Sequence, residues 1–215
     1  MAPLTDNAAF WTKKSRKYAA SPIADMDGYL NTLGRTKSYL KSSHRALEMG
    51  CGTGSTALLL APHVAHITAT DIAPGMIEIA NEKLAEEGLD NVTFAVADIL
   101  DHSTKDGPYD VVMAHNLLHL VSDLDGALAH ISALVKPGGL FISKTVCAPY
   151  HAGFKFNLIR SFAIPIMQVI GKAPFVEFMA ANVLEGKIKA AGFKIIETGD
   201  QTSMVLSRYL VARRV

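Results

Sequence analysis

Cysteine is nearly missing from the 215 residues: only Cys51, inside a glycine-rich turn, and Cys147, at the end of an apolar run, are present. Two thiols so placed make no disulfide framework, and the expected setting is a reduced one, the cytoplasm. Excess charge of either sign is missing as well. Lys and Arg number 21 against 20 Asp and Glu, a net charge of +1 that gives no global field to draw nucleic acid or an anionic membrane. The N-terminal MAPLTDNAAFWTKKSRKYAA lacks the charged-then-apolar layout of an export signal. The strongest apolar stretch elsewhere, Phe162–Gly171, is well short of the ~20 residues that span a bilayer. Internal repeats and low-complexity tracts are lacking too. What is abundant is apolar side chain, 49% of residues against 19% charged, the make-up of a single well-buried domain with appendages.

From Arg45 onward short β-rich runs alternate with helical patterns, the rhythm of βαβ units and of a parallel sheet, so the fold class is α/β. Strands are expected at Ala46–Met49, His66–Thr70, Val92–Ala97, Asp110–Ala114 and Leu140–Thr145, short and apolar as strands covered on both faces tend to be. Ala73–Gly88 has helical spacing, with proline in its first turn and glycine as its stop. Ser122–Gly139 reads as a helix opened by a cap and closed by Pro-Gly-Gly. After the fifth strand the pattern breaks into an apolar, aromatic stretch from Pro149 to about Asn182, expected to be an insertion over the sheet edge. A last helix ending at Gly192 precedes FKIIETGD and SMVLSRYLVARR, which read as an antiparallel hairpin.

The stretch RALEMGCGTGSTALLLAP places Gly50, Gly52 and Gly54 on alternate positions between the first strand and a helical run. Such a turn, at the carboxyl edge of a parallel sheet, presents backbone N–H groups and a helix start to a polar ligand. A dinucleotide needs G-x-G-x-x-G, and here the third glycine comes one residue early. Glu48, ending the first strand, would repel a pyrophosphate and can anchor a network around an ammonium group. Asp71, ending the second strand, can accept both ribose hydroxyls; Asp98, ending the third, can accept from an adenine amino group. The set suggests a nucleoside that carries positive charge and no phosphate.

LEMGCGTG, TDIAPGMIEIA, VADIL, YDVVMAHNLLHLV and LVKPGGLFISKT follow one another in the chain. In that order they resemble the class I S-adenosylmethionine-dependent methyltransferases, in particular the small-molecule branch that includes the ubiquinone and menaquinone biosynthesis enzymes. The resemblance covers about Phe10–Gly139 motif by motif, and the C-terminal hairpin by layout. It implies a Rossmann-like, doubly wound, mostly parallel seven-stranded sheet with a C-terminal antiparallel hairpin. The implied parts are a helical N-terminal lid (1–44), a cofactor core (45–148), a helical insertion after the fifth strand (149–182), and the last helix with the hairpin (183–215), all in one domain. It also implies roles. Glu48, Gly50, Cys51, Gly52 and Gly54 would cradle the methionine part of S-adenosylmethionine, Asp71 the ribose, and Asp98 with the Ile99 backbone the adenine. Ile72 and Met76 would pack on the adenine faces, the backbone near Ala114 and His115 would meet the methionine amine, and Trp11 and Tyr18 would close over the cofactor.

His115 and His119 lie four apart, a spacing that on a helix would share one face, but no acidic partner is near in the segment and no metal is expected. Either histidine, or His151, suits a general base, because imidazole titrates near neutrality. The insertion, with His151, Phe154 and Arg160 as candidate acceptor contacts, suits a cover over an apolar acceptor, plain core or dimer contact, and a membrane surface. Trp11 and Tyr18 equally suit the apolar face of a packing helix. Nucleic acid is not expected as a partner: where family members that methylate it carry [Asp/Asn]-Pro-Pro-aromatic, this chain reads AHNLL. The expected function is transfer of a methyl group to a small, partly apolar molecule by a monomer or homodimer, the acceptor atom (O, N, S or C) being open. The rivals are a catalytically idle cofactor-binding scaffold and a nicotinamide-dependent oxidoreductase, which the glycine spacing and Glu48 disfavour.

Overall fold

The computed structural model describes residues 7–101, 107–150, 153–154, 158–201 and 206–215. Seven strands form one sheet in the order β3-β2-β1-β4-β5-β7-β6. Strands β1 (Arg45–Met49), β2 (His66–Asp71), β3 (Val92–Val96), β4 (Tyr109–His115) and β5 (Val135–Val146) run parallel. The hairpin of β6 (Phe193–Gln201) and β7 (Ser207–Arg214) is antiparallel, and β7 is the strand that pairs with β5. Alternation along each strand feeds two cores. Leu47, Val112 and Phe141 pack with α5 (Leu124–Leu134) and α7 (Ala181–Ala190) on one face. Ala46, Val111, Met113, Ile142 and Tyr209 pack on the other with α3 (Ser55–Leu60) and α4 (Pro74–Glu87). Both faces being covered explains why the parallel strands are apolar without interruption.

The N-terminal segment forms α1 (Asn7–Ala20) and α2 (Met26–Lys37). Gly75, at the start of α4, leaves room for α1: a Cβ there would stand 2.9 Å from Ser15 Oγ. Helix starts and stops follow local chemistry. The side chain of Asp25 accepts from Gly28 N at the head of α2, and that of Asp123 accepts from Gly126 N at the head of α5, each at 2.9 Å. Gly88 ends α4 in the left-handed region (φ 67°), its N–H returning to Leu84 O.

The helix expected over 122–139 is a correction. It ends at Leu134, and β5 begins at Val135, whose backbone is already extended (φ −84°, ψ 135°). Tyr109 pairs with Val135 but Val111 pairs with Leu140, so Pro-Gly-Gly marks an irregularity within a strand and no helix stop. Among the described residues of the insertion, a π-helical turn (Ile159–Ala163) runs into the short α6 (Ile164–Val169). The chain then returns along the sheet edge, Glu177 N donating to His119 O at 2.7 Å and Ala148 N to Met179 O at 2.8 Å. Among the described residues no helix is long and apolar enough to cross a membrane.

Candidate functional site

At the carboxyl ends of the strands, where the connections after β1 and β4 leave for opposite faces, a cavity of about 680 Å³ opens. That is a usual place and size for a small-molecule site. One wall follows the sheet: Asp98 beyond β3, Asp71 in β2, Glu48 in β1, His115 in β4 and Lys144 in β5. Helices α1 and α2 supply the opposite wall with Trp11, Tyr18, Tyr29, Leu33 and Thr36.

The turn after β1 is held open by its glycines, with φ of 67°, 54° and 77° at Gly50, Gly52 and Gly54, a region that side chains with a Cβ enter at a cost of about 1–2 kcal/mol. A Cβ on Gly50 would strike Leu117 Cδ1 at 2.7 Å, and one on Gly54 would strike Phe94 Cζ at 2.6 Å; one on Gly52 would meet nothing within 4 Å. The outer glycines therefore serve packing, and the middle one leaves backbone bare beside the cavity. Asp71 fastens the turn to β2. Its Oδ2 accepts from Gly52 N and its Oδ1 from Ala73 N, each at 2.9 Å, and burial raises its pKa against the lowering effect of these two bonds. Each oxygen keeps a lone pair for a ligand hydroxyl.

Glu48 is 2% exposed. Its Oε1 lies 3.4 Å from His115 Nδ1, while its Oε2 is buried with no partner among the described residues. A buried carboxylate oxygen left unpaired costs at least about 1–3 kcal/mol, so the site is built for a donor from a ligand. On the far side of the imidazole, Thr36 Oγ1 lies 3.4 Å from Nε2 and 3.5 Å from the Tyr209 hydroxyl. Asn116, the next residue, takes a left-handed backbone (φ 54°) and donates to Lys144 O at 2.7 Å, the kind of held strain that gathers at functional sites. On the side of the glycine turn, Lys83 Nζ donates to Thr53 Oγ1 at 3.0 Å and Ser55 Oγ at 2.9 Å.

Cys51, Ile72, Met76 and Ile99 line the cavity with Trp11, Tyr18, Glu48, Gly50, Gly52, Asp71, Asp98 and His115. The other expected residues stand elsewhere. Gly54 caps α3, and Ala114 is fully buried in the sheet core. Phe154 is 81% exposed and does not line the cavity. Arg160 lies in the π-helical turn, but its side chain, like the whole of His151, is outside the described residues. His119 is buried off the cavity wall, and that burial pushes its pKa down to about 4. Lys144, Thr36 and Tyr29 escaped the sequence reading. A lone lysine inside the apolar run LFISKT was the available signal for the first; the helical residues gave none.

The buried His119 has a thermodynamic consequence. Its folded-state pKa is depressed below the ordinary 6.5, so below pH 6.5 the unfolded chain binds the proton that the folded one refuses. Stability therefore falls as pH drops from 6.5 towards 4, by about 3 kcal/mol from this group. Denaturant melts across that window check it: a His119→Leu variant should lose that part of the slope.

Strands in this order, with three acids at successive carboxyl ends and a glycine turn between, define a Rossmann-like α/β protein with a cavity at the carboxyl edge of its sheet. Residues 46–139 match the methyltransferase-domain family. AFT9-1, a highly reducing polyketide synthase of Alternaria alternata, is 34% identical over 137 residues, 59% of this chain and 4% of that one. The sterol 4-C-methyltransferase strm-1 of Caenorhabditis elegans is 36% identical over 107 residues, 49% of this chain and 32% of that one. The chain thus spans a third or less of these curated relatives. In fold it is similar to the N-methyltransferase NodS from Bradyrhizobium japonicum WM9 in complex with S-adenosyl-L-homocysteine, with a TM-score of 0.73 and 16% identity over 97% of this chain and 99% of that one. Residues 46–139 thus match a methyltransferase domain, and the chain as a whole is similar in fold to solved S-adenosylmethionine-dependent methyltransferases.

Proposed function

We propose that this protein transfers a methyl group from S-adenosylmethionine to a small, partly apolar acceptor. The observation that carries the reading is the single cavity in which Asp71 and the partnerless Oε2 of Glu48 share a wall with His115. A ribose suits the first, a ligand ammonium the second, and a reacting acceptor the third. The residues fit this cofactor: the open space beside Gly52 leaves room for a ligand, and the unpaired carboxylate oxygen of Glu48 calls for one with a polar hydrogen. Glu48 with Gly50, Cys51 and Gly52 would hold the methionine part, aided by the backbone at His115. Asp71 would hold the ribose, Asp98 and the Ile99 N–H the adenine edge, and Ile72 and Met76 the adenine faces. Trp11 and Tyr18, edge to face at 6.1 Å, would cover it.

The cofactor supplies a methyl group on a sulfonium: the acceptor's electron pair bonds the methyl carbon, the S–C bond breaks, and its pair stays on sulfur as a neutral thioether. The chain's own part is to align the acceptor, exclude water and remove a proton. The carboxylate of Glu48 is acceptor only, so it takes the Nδ1–H of His115; the Nε2 lone pair would receive the acceptor's proton when the Thr36 hydroxyl, 3.4 Å away, turns to the Tyr209 oxygen. His119, buried away from the cavity, is the weaker candidate for this role.

Formation of S-adenosylhomocysteine over a panel of apolar O-, N-, S- and C-nucleophiles tests the proposal. We expect at least one class to turn over, and His115→Ala to lower kcat by about 10²–10⁴-fold with little change in S-adenosylhomocysteine affinity. Tight cofactor binding with no turnover on any class would favour an idle binding protein. We further propose a cytoplasmic protein, since Cys51 and Cys147 are both free and buried, acting on no nucleic acid. Phe162, Ile166 and Val169 stand exposed on the insertion, an apolar face suited to covering an acceptor or closing a homodimer.

A further inference from the structure

The strand registers set a row of polar groups across the α2 face of the sheet. Glu48 lies level with Met113 on β4, and His115, two residues on, shares that face. His115 is paired in register with Lys144 on β5, and Lys144 with Tyr209 on β7. From β3 to β1 the groups facing the cavity are carboxylates: Asp98, Asp71 and Glu48. From β4 to β5 the groups are instead an imidazole and an ammonium. The first half matches a nucleoside bearing a sulfonium and an amine. The second half, beyond the methionine end, is where an acceptor would sit.

Lys144 is partly buried, and its Nζ has no hydrogen bond or ion pair among the described residues. Burial lowers its pKa, and the charge of Asp25 partly offsets this. Asp25 does not line the cavity, and its Oδ1 accepts from Gly28 N. A half-buried ammonium with no hydrogen bond or ion pair among the described residues, facing a bound sulfonium across one cavity, would place two like charges in a poorly screened space. An anion between them would relieve both.

We infer that Lys144 recognises an anionic oxygen on the methyl acceptor, a carboxylate or an enolate, and so sets which acceptors this site takes. The inference rests on the methyl-transfer reading above. An ammonium here would hold the anion beside Nε2 of His115 and orient the neighbouring atom toward the methyl group. It would also stabilise an enolate as the acceptor loses its proton, charge that forms only on the way to reaction.

The test is equilibrium binding of three probes to the protein loaded with S-adenosylhomocysteine, in wild type, Lys144→Met and Lys144→Arg. Octanoate offers a carboxylate, 2-acetylcyclohexane-1,3-dione an enolate at neutral pH, and octanamide a neutral match for the first. At least one anionic probe should bind wild type ten-fold or more tighter than octanamide, and which one does so separates carboxylate from enolate. Lys144→Met should erase that preference and Lys144→Arg keep part of it. Absence of any preference in wild type, or its survival in Lys144→Met, overturns the inference. S-adenosylhomocysteine affinity is measured alongside: if wild type does not bind it, the methyl-transfer reading fails and this inference with it.

Discussion

Asp71→Ala lowers the affinity for S-adenosylhomocysteine by about 100-fold, about 2.7 kcal/mol. Two losses combine in that figure. On the proposed reading the carboxylate accepts the ribose hydroxyls, and charge-assisted hydrogen bonds are worth about 1.5–3 kcal/mol each. The same oxygens hold Gly52 N and Ala73 N at 2.9 Å, so their removal also frees the glycine turn. Asp71→Asn keeps one acceptor oxygen and the shape, and should cost nearer ten-fold. Calorimetric titration of both variants checks the ordering. Equal affinities for wild type and Asp71→Ala would remove the ribose from this position.

Gly54→Ala should lower the melting temperature by roughly 4–20 °C. The backbone there is left-handed, at φ 77°, which costs a residue with a Cβ about 1–2 kcal/mol. That Cβ would also lie 2.6 Å from Phe94 Cζ and 2.9 Å from Ala80 Cβ, an overpacking worth about 1–3 kcal/mol. At the ~2–4 °C per kcal/mol of a chain this long, the sum falls in the stated range. Gly52→Ala makes the contrast. Its backbone strain is similar, but its Cβ meets nothing within 4 Å, so the smaller loss of stability should come with a loss of cofactor affinity. Melting curves with and without S-adenosylhomocysteine separate the two: ligand should raise the melting temperature of Gly54→Ala and do less for Gly52→Ala.

Local signals carried much of this architecture. The alternation of β and α, the glycine turn and the acids at successive strand ends are all features of neighbouring residues, so the cavity wall from Asp98 to Glu48 was legible before any coordinates. The acceptor half was not. Lys144 faces His115 only because β4 and β5 pair with His115 level with Lys144, a register set across about thirty residues by the irregularity at Pro137–Gly139. Thr36 reaches the imidazole from α2, and no sequence spacing relates positions 36 and 115. Lys83 looked like one more residue in the helical pattern of α4, yet its amine ties Thr53 to Ser55. The pair His115 and His119 illustrates the same limit. On a helix their spacing would share one face, but the chain leaves β4 through left-handed Asn116 and a 3₁₀ turn, and of the two only His115 lines the cavity.

On the proposed reading the glycine turn, Glu48 and Asp71 form a site for S-adenosylmethionine and not for a dinucleotide. Titrating wild-type protein with S-adenosylhomocysteine, and separately with NADH, tests it most directly. One molecule of S-adenosylhomocysteine bound per chain with a Kd of about 10 μM or tighter, and no heat from NADH, is the result predicted. NADH binding in its place, or silence from both ligands, would contradict it.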